Sequence, residues 1–175
     1  KLFPHGRIGG KKAQVAKSAK IEGDVYLEDG VRVLDNAVIV GPAYIGKNTV
    51  IATNTLERGS HIGADCVIGF GSEVARSYIG DNVWTHTNYI GDSIIGNNVS
   101  FGAGTVTGNL RLDEKPINVN VSKKWIGKTE EQRIATGLVK LGLITGDNIR
   151  VGINASIMPG VKIGSNSSIG AGITV

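Results

Sequence analysis

The chain has 175 residues and a formal net charge of +4; 41% of its residues are hydrophobic and 19% are charged. This balance predicts one globular domain with a real core and excludes a disordered chain. Aromatic residues reach only 5% and the basic residues are scattered, so nucleic-acid binding is disfavoured. No apolar run approaches the roughly 20 residues that span a bilayer, and no signal-peptide pattern opens the chain.

Cys66 is the single cysteine, which excludes an internal disulfide. A free thiol fits a reducing compartment, so we expect a cytoplasmic protein. The sequence begins with Lys1 instead of methionine, and we therefore expect a fragment or a processed chain with something missing upstream. The basic net charge suits anionic ligands such as phosphates. The three histidines lack the close spacing of a metal-binding trio, so no metal is predicted.

After a lead-in of residues 1–12, the chain follows a strict six-residue repeat. The main column of that repeat contains Val15, Ile21, Leu27, Val33, Ile39, Ile45 and Ile51. A companion column two positions earlier contains Ala19, Val25, Val31, Ala37, Ala43 and Thr49. Six is a multiple of the strand period of two and does not match the helix period of 3.6, so both columns face one side of short strands. The repeat predicts an all-β parallel solenoid with both columns pointing inward.

The repeat slips near residues 56–61 and 84–95 and returns near the C-terminus. Its main column there contains Val151, Ile157, Ile163, Ile169 and Val175, and its companion column contains Ile149, Ala155, Val161, Ser167 and Ile173. Glycine follows an aliphatic or Phe residue at Gly46, Gly63, Gly69, Gly80, Gly91, Gly96, Gly102, Gly152, Gly164 and Gly170. That slot fits a corner that needs positive φ or close backbone approach. The solenoid is predicted over residues 13–107 and 145–175.

Residues 108–144 break the repeat. Pro116 followed by "INVNV" predicts an extended arm, and "KTEEQRIATG" suggests a helical turn. A long excursion inside a compact solenoid is usually functional or makes a partner contact, although a tolerated surface insertion is the alternative.

His86 is the residue of this chain that fits a scaffold least well. Continuing the register from Ile79 makes Thr85 inward and puts His86 in the corner slot that elsewhere contains glycine. The imidazole is therefore predicted to be exposed or at an interface. The spacing then shortens to five-residue steps at Ile90 and Ile95, which indicates a shaped site; a surface histidine at a loose corner is the alternative. Cys66 falls in the companion column and is predicted to lie in the core.

The stretch "HTNYIGDSIIGNNVSFGAGTVTGNLRLDEK" closely resembles the acetyltransferase domain of bifunctional enzymes that join it to a sugar-1-phosphate nucleotidylyltransferase domain, above all the archaeal type. The hexad likewise resembles the hexapeptide-repeat proteins. This resemblance implies a left-handed parallel β-helix with triangular coils of 18 residues. It also implies a homotrimer with active sites between neighbouring prisms, and acetyl-CoA as co-substrate with no metal needed for acetyl transfer.

The resemblance also implies roles for individual residues. His86 matches a general base for the sugar amine, which suits an imidazole whose ordinary pKa is near 6.5. Glu73 matches a carboxylate that orients the histidine, and Tyr89 and Asn109 match residues that hold the sugar and the reacting groups. Lys115 matches a lysine for the substrate phosphate. The acetyl-CoA contacts implied by the resemblance are Ala103, Ile153 and Ala171.

The chain departs from the family pattern at several positions. Glu57 and Ala75 replace an arginine and a lysine for the sugar phosphate, and the neighbouring Arg58 and Arg76 are the candidates to substitute for them. Ser100 stands where bacterial relatives have a sugar-contacting asparagine. A tyrosine is replaced by Leu110, and the chain ends at Val175, before an arginine that grips the CoA phosphate.

Three functions are compatible with these residues. The leading one is acetyl-CoA-dependent N-acetylation of glucosamine-1-phosphate or galactosamine-1-phosphate in the synthesis of a UDP-N-acetylhexosamine. The second is a non-catalytic β-helix that oligomerises or regulates a nucleotidylyltransferase domain. The third is acetyl transfer to another acceptor, such as a nucleotide-linked amino sugar. A purely structural coil needs none of the His86, Tyr89, Asn109 and Lys115 set, which favours the first.

Overall fold

The computed structural model describes residues 8–10, 12–125 and 128–175, and these form strands and turns with no helix. In chain order the strands are β1 (Ile8–Gly9), β2 (Gln14–Val15), β3 (Lys20–Glu22), β4 (Val25–Leu27), β5 (Arg32–Val33), β6 (Val38–Val40), β7 (Ala43–Ile45), β8 (Val50–Ile51), β9 (Leu56–Arg58), β10 (His61–Ile62), β11 (Val67–Ile68), β12 (Glu73–Ala75), β13 (Tyr78–Ile79), β14 (Tyr89–Gly91), β15 (Ile94–Ile95), β16 (Val99–Phe101), β17 (Val106–Thr107), β18 (Asn118–Trp125), β19 (Lys128–Ala135), β20 (Ile144–Thr145), β21 (Ile149–Val151), β22 (Ser156–Ile157), β23 (Lys162–Ile163) and β24 (Ser168–Ile169).

The strands stack into three parallel faces of a left-handed β-helix, as predicted. The first face runs in the order β1-β4-β7-β10-β13-β15-β20-β23. The second face contains β2-β5-β8-β11 and β16-β21-β24, which single bridges at Trp84 join into one surface. The third face runs in the order β3-β6-β9-β12-β14-β17-β22. The chain passes from the second face to the third and then to the first in every coil, so each corner stacks on the same corner of the next coil.

The core consists of the predicted columns. Leu27 pairs with Ile45 in the regular 18-residue register, and both are fully buried. Ile45 then pairs with Ile62, one residue early, which is the first of the predicted slips. Cys66 is buried in its companion column as predicted, and burial raises the pKa of its thiol to about 11. This thiol is a core group and is poorly suited to be a nucleophile.

At the upper end of the described solenoid, Ile173 and Val175 are exposed, although the repeat predicts that both are inward. Within the described residues no further coil stacks on them, so they lack the layer that would cover them. At the other end, β1 pairs with β4, so the stretch taken as a lead-in of residues 1–12 includes a strand of the first face.

Strands β18 and β19, residues 118–125 and 128–135, pair as an antiparallel hairpin. The "KTEEQRIATG" segment is therefore a strand, and the helical turn suggested for it was wrong. It pairs with β18 over eight residues of each strand, and β18 includes most of "INVNV". An isolated antiparallel bridge between Leu110 and Lys140 joins the two ends of the segment that leaves the solenoid.

The corners use two different devices. Gly46 allows close approach, because a Cβ there would lie 2.5 Å from the carbonyl carbon of Gly63 in the next coil. Among the residues other than glycine, positive φ belongs mostly to asparagines such as Asn48 (φ 59°), which tolerate the left-handed region better than most residues. Arg76 (φ 50°) and Asp92 (φ 50°) occupy this conformation at one corner of the central coils.

Candidate active site

His86 lies at the corner between the second and third faces, where the register predicted it. The preceding Thr85 is buried and His86 is exposed. The backbone around it is fixed, because His86 N donates to Asn88 Oδ1 at 2.7 Å and Ser72 Oγ donates to His86 O at 2.6 Å. In the coil below, a Cβ on Gly69 would lie 2.1 Å from His86 O. The main chain is therefore packed tightly while the imidazole faces away from the core.

Glu73 lies beside this corner but does not hydrogen-bond the imidazole in the described structure. It is on the third face, in register with Tyr89 of the next coil. Its carboxylate instead forms an ion pair with the Arg58 guanidinium. The role of orienting His86 therefore stays a prediction, and the observed partner of Glu73 is a cation.

A hydrogen-bonded network lies at the next corner, between the third and first faces. Arg76 donates to both carboxylate oxygens of Asp92, from Nε and from Nη2, each at 2.7 Å. Asn109 Nδ2 donates to Asp92 Oδ2 and, at 3.0 Å, to the Tyr89 hydroxyl. The structure thus brings together Arg76, Tyr89 and Asn109 from three coils: Asp92 is the common partner of Arg76 and Asn109, and Asn109 links Tyr89 to them.

Charge balance in this network follows from the contacts. Partial burial acts to raise the pKa of Asp92, but hydrogen bonds from Arg76 and Asn109 outweigh it and lower the pKa below its usual value. The bond to Asp92 likewise raises the pKa of Arg76. Both groups are therefore charged at neutral pH, and Asp92 offsets much of the positive charge of Arg76.

Glu57 and Ala75, the two residues of the third face that depart from the family pattern, are both buried. Glu57 lies in the inward column between Ile39 and Val74, and Ala75 is also fully buried. Burial raises the pKa of Glu57 to about 8, although the hydrogen bond from Ser60 N at 2.8 Å acts to lower it. Neither position can contact a substrate phosphate from the core.

The three residues proposed for acetyl-CoA lie in one column. Strands β16, β21 and β24 are in register, so Ala103, Ile153 and Ala171 occupy the same slot of successive coils at the corner that also holds His86. All three are exposed. Asn154 N donates to Ala103 O, and Gly172 N donates to Ile153 O, at 2.9 and 2.8 Å. These bonds tie the corner backbones to one another and leave an exposed, weakly polar ridge above His86.

Ser100 and Lys115 lie away from the Asp92 network. Ser100 is on the second face, between Trp84 of the coil below and Arg150 of the coil above. Lys115 is exposed in the segment that leaves the solenoid, where its backbone N–H donates to Asp113. In the described part of the chain, no carboxylate pairs with the Lys115 ammonium.

The sequence reasoning missed Asp92 and Asn88. Asn88 is buried and supports the His86 corner, because its Nδ2 donates to Gly102 O at 2.8 Å and to Thr105 O at 3.0 Å. Asp92 follows Gly91 in a corner slot that holds Gly59 and Arg76 in the two coils below, so its type alone gives little signal. Its importance depends on the coil-to-coil register with Arg76 and Asn109, which the six-residue repeat could not place across two slips.

Across the described ranges, no cluster of three His, Cys, Asp or Glu residues could hold a metal ion. Nothing in the described structure forms a helix long and apolar enough to cross a membrane.

Comparison with known proteins finds relatives of this chain among transferases. The chain is 42% identical over 173 residues to the bifunctional protein GlmU of Methanocaldococcus jannaschii, which covers 91% of this chain and 38% of that protein. It is 41% identical over 164 residues to a bifunctional sugar-1-phosphate nucleotidylyltransferase/acetyltransferase of Sulfurisphaera tokodaii, covering 92% and 39%. The chain therefore spans less than two fifths of the length of these relatives.

This chain covers a larger share of a shorter relative. The uncharacterized acetyltransferase YaiX of Escherichia coli K12 is 34% identical over 170 residues, which cover 94% of this chain and 70% of that protein. No family model matches the chain.

Solved structures share the fold. A hexapeptide transferase family protein from Anaplasma phagocytophilum superposes with a TM-score of 0.54 at 16% identity, over 93% of this chain and 72% of the other. The UDP-N-acetylglucosamine acyltransferase of Campylobacter jejuni gives a TM-score of 0.52 at 16% identity, over 89% and 64%. At this identity the likeness shows the β-helical fold alone.

Proposed function

Because the chain belongs to the family of acetyltransferase domains found in bifunctional GlmU-type proteins, we propose that it transfers an acetyl group from acetyl-CoA to the amine of an amino-sugar 1-phosphate. The observation that supports this best is the exposed His86 at a corner slot that glycine occupies in neighbouring coils. On one side of it lies the network of Tyr89 and Asn109, and above it lies the exposed ridge of Ala103 and Ile153.

In the proposed reaction His86 acts as the general base. The imidazole accepts a proton from the sugar amine while the nitrogen attacks the thioester carbonyl carbon. A C–N bond forms, the C–S bond breaks, and the CoA sulfur leaves as a thiolate that takes up a proton. General-base catalysis of this kind contributes about 10²–10⁴-fold to a rate. Since the His86 backbone is fixed by Asn88 and Ser72, its position at the corner is set before substrates bind.

The sugar would lie against the third face. Tyr89 OH and Asn109 are joined by a 3.0 Å hydrogen bond and are both partly exposed, so they can contact its hydroxyls. Arg58 and Arg76 are poorer candidates for the phosphate than the sequence suggested, because Glu73 and Asp92 already pair with them. Lys115 is the better candidate on this side, since its ammonium has no carboxylate partner among the described residues.

Acetyl-CoA would lie along the corner ridge of Ala103, Ile153 and Ala171, which lead from His86 toward the C-terminal coils. Small side chains and hydrogen-bonded backbone suit an extended ligand that lies flat on the ridge. The donor is a co-substrate that is consumed in each turnover.

We further propose a homotrimer. His86 lies on a convex corner, so a second protomer is needed to enclose it and exclude water. The segment of residues 108–144 leaves the solenoid and is suited to reach a neighbouring protomer. Light scattering on the active protein should give three times the monomer mass; a stable, fully active monomer would contradict this assembly.

We also propose that the protein is cytoplasmic. As in its full-length relatives, we expect it to be joined to a nucleotidylyltransferase domain.

One assay tests the activity directly. The chain is incubated with acetyl-CoA and a panel of amino sugars, and release of the free CoA thiol is followed over time. Thiol release with glucosamine-1-phosphate or galactosamine-1-phosphate is expected. Release only with a nucleotide-linked amino sugar would change the acceptor, and no release with any amine would favour the non-catalytic β-helix.

A further inference from the structure

A buried polar column lies on the inner side of the corner that carries His86. The strand register places one residue of this column immediately before each strand of the third face. Six successive coils contribute, in chain order, Ala37, Thr55, Ser72, Asn88, Thr105 and Ala155, and all six residues are buried. The four polar members therefore belong to the coil of His86 and to the coils next to it.

Each polar member of the column donates to a backbone carbonyl of the next coil. The acceptor is always the residue in the corner slot that His86 occupies in its own coil. The donors and acceptors, in chain order, are Thr55 and Gly69, Ser72 and His86, Asn88 and Gly102, and Thr105 and Gly152, at distances of 2.6 to 3.0 Å. A buried carbonyl without a donor is costly, so these bonds hold the corner of each coil against the coil beneath it.

Asn88 differs from the hydroxyl members of the column because its amide has an acceptor end and a donor end. Its Oδ1 accepts from His86 N at 2.7 Å, within its own coil. Its Nδ2 donates to Gly102 O at 2.8 Å and to Thr105 O at 3.0 Å, in the next coil. In the part of the chain that the structure describes, the hydroxyls of the column bond to the next coil and not back to their own corner. Asn88 therefore joins two successive corners through one side chain.

The two carbonyls that accept from Asn88 lie at the two ends of a turn that contains Ala103 and Gly104. Ala103 is the first residue of the ridge proposed for acetyl-CoA. Gly104 N donates to Thr87 O at 2.9 Å, which ties the same turn to the residue that follows His86. The amide of one buried side chain thus holds the backbone of the proposed base at one end and the ridge for the acetyl donor at the other.

From these contacts we infer that Asn88 is a positioning residue for acetyl transfer, which sets the place of His86 relative to the thioester of acetyl-CoA at Ala103. This inference rests on the proposed function. Asn88 is buried and acts through the two backbones that it holds, not by touching a substrate. A displacement of about 1 Å between reacting groups can cost on the order of 10²-fold in rate, so a small loosening of either corner is enough to slow the reaction.

Asn88→Thr tests the inference with a side chain that the column already contains. A threonine can keep a bond to the corner carbonyl of the next coil, as Thr105 does. One hydroxyl cannot also replace the bonds to His86 N and Thr105 O. We expect kcat for acetyl transfer to fall roughly 10- to 100-fold, while KM for acetyl-CoA and for the amino-sugar 1-phosphate changes less than about threefold. Asn88→Ser, with the side chain of Ser72, should behave in the same way.

Thr49→Val is the matched control for the loss of buried hydrogen bonds. Thr49 is buried at a different corner, where its Oγ1 donates to Gly63 O at 2.7 Å and accepts from Cys66 N at 3.0 Å. The melting temperature should fall by a few degrees in both Thr49→Val and Asn88→Thr, but kcat should fall only in the second. An equal loss of kcat in the two variants, or an unchanged kcat in Asn88→Thr, would overturn the inference.

Amide hydrogen exchange, measured residue by residue by NMR, separates this inference from the proposed activity. Asn88→Thr should speed exchange at His86, whose amide loses its acceptor, and at Gly104 and Thr105 in the ridge turn. Thr49→Val should leave all three amides unchanged. If the natural chain transfers no acetyl group to any amine, faster exchange at both corners supports the coupling through Asn88 and only the activity is wrong. Faster exchange at His86 alone, or at neither corner, overturns the coupling whether or not acetyl transfer is detected.

Discussion

The first coils of the solenoid and the central coils have the same architecture but different interiors. In the first coils the inward column of the third face contains Ile21 and Ile39, one regular 18-residue step apart. In the next coil the same column contains Glu57, and the steps that follow shorten to 17 and 16 residues at Val74 and Ile90. The outer surface of the regular coils contains no catalytic candidate, whereas the irregular coils contain His86 and the Asp92 network.

The difference shows how a solenoid can lose its strict repeat without losing its fold. Inward hydroxyls and amides in the central coils hydrogen-bond to neighbouring backbones, as when Thr55 Oγ1 donates to Gly69 O at 3.0 Å and Thr49 Oγ1 donates to Gly63 O at 2.7 Å. Buried polar groups with partners cost far less than unpaired ones. The central coils can therefore vary their length, and His86 occupies a corner position that holds Gly69 in the coil below and Gly102 in the coil above.

The largest expected effect is a loss of stability caused by a substitution in the core of the regular coils. Ile39→Asp places a carboxylate in a fully buried aliphatic layer with no donor supplied for it. Burying an unpaired charge or forcing it to take up a proton costs several kcal/mol, so we expect a loss of about 5 kcal/mol in the free energy of unfolding. Urea denaturation at neutral pH measures this. Val38→Asp, one residue away on the outward side, is the control, and equal losses would mean that the register is wrong.

His86→Ala should have the next largest effect, and on activity alone. Acetyl transfer should fall about 10²–10⁴-fold, because the base is removed. The melting temperature should change little, since the imidazole is exposed. Undiminished turnover by His86→Ala would make this residue part of the scaffold and favour the non-catalytic β-helix.

Sequence alone predicted the regular coils almost completely. The columns from Ile21 to Ile51, the buried Cys66 and the exposed corner position of His86 are confirmed, because a period of six leaves a single inward register. Periodicity could not predict the β18–β19 hairpin, whose segment has no hexad and whose pairing depends on contacts between distant residues. The six-residue step from Ile51 does reach Glu57, but the hydrophobic pattern ends there, and only the structure shows that this glutamate lies inside the core.

The site was predictable as a set of residue types but not as a set of contacts. Tyr89 and Asn109 are hydrogen-bonded, as their shared role suggested. The partners of Arg58 and Arg76 were not foreseen, because Glu73 and Asp92 reach them only after the coils have shortened. A shift of one residue in a coil decides which side chains meet, and the sequence locates such a shift only to within several residues.

Glu57 provides a pH-dependent test of the same comparison. Its folded-state pKa of about 8 lies above the ordinary 4.5, so the folded protein binds the proton more tightly than the unfolded chain. The resulting stability is fully present below about pH 4.5 and is lost as the pH rises through 8. Glu57→Gln keeps an acceptor for Ser60 N and removes the titration. The variant should lie within about 1 kcal/mol of the natural chain at pH 5 and exceed it by a few kcal/mol at pH 8.

Urea denaturation at pH 5, 6.5 and 8 distinguishes this effect from a general change in charge. Glu22→Gln, at an exposed position of β3 on the same face, should follow the pH dependence of the natural chain. Parallel stability curves for the natural chain and Glu57→Gln would mean that the buried carboxylate is not a source of pH dependence.

Asp92→Asn should have the smallest of these effects, and it tests whether the irregular corner positions the acceptor. Asparagine tolerates the left-handed φ of 50°, so the backbone should be kept, but the bidentate bond to Arg76 and the charge that holds Asn109 are lost. With Asn109 less well oriented, kcat/KM for the amino-sugar 1-phosphate should fall about tenfold, equivalent to about 1.4 kcal/mol. Asp65→Asn is the matched control, since Asp65 is a corner aspartate with a φ of 54° that accepts a hydrogen bond from Asn48, at a corner outside the Asp92 network. If both variants lose the same activity, the network at Asp92 stabilises the corner and does not position the acceptor; if only Asp92→Asn loses it while its melting temperature is unchanged, the network at Asp92 positions the acceptor.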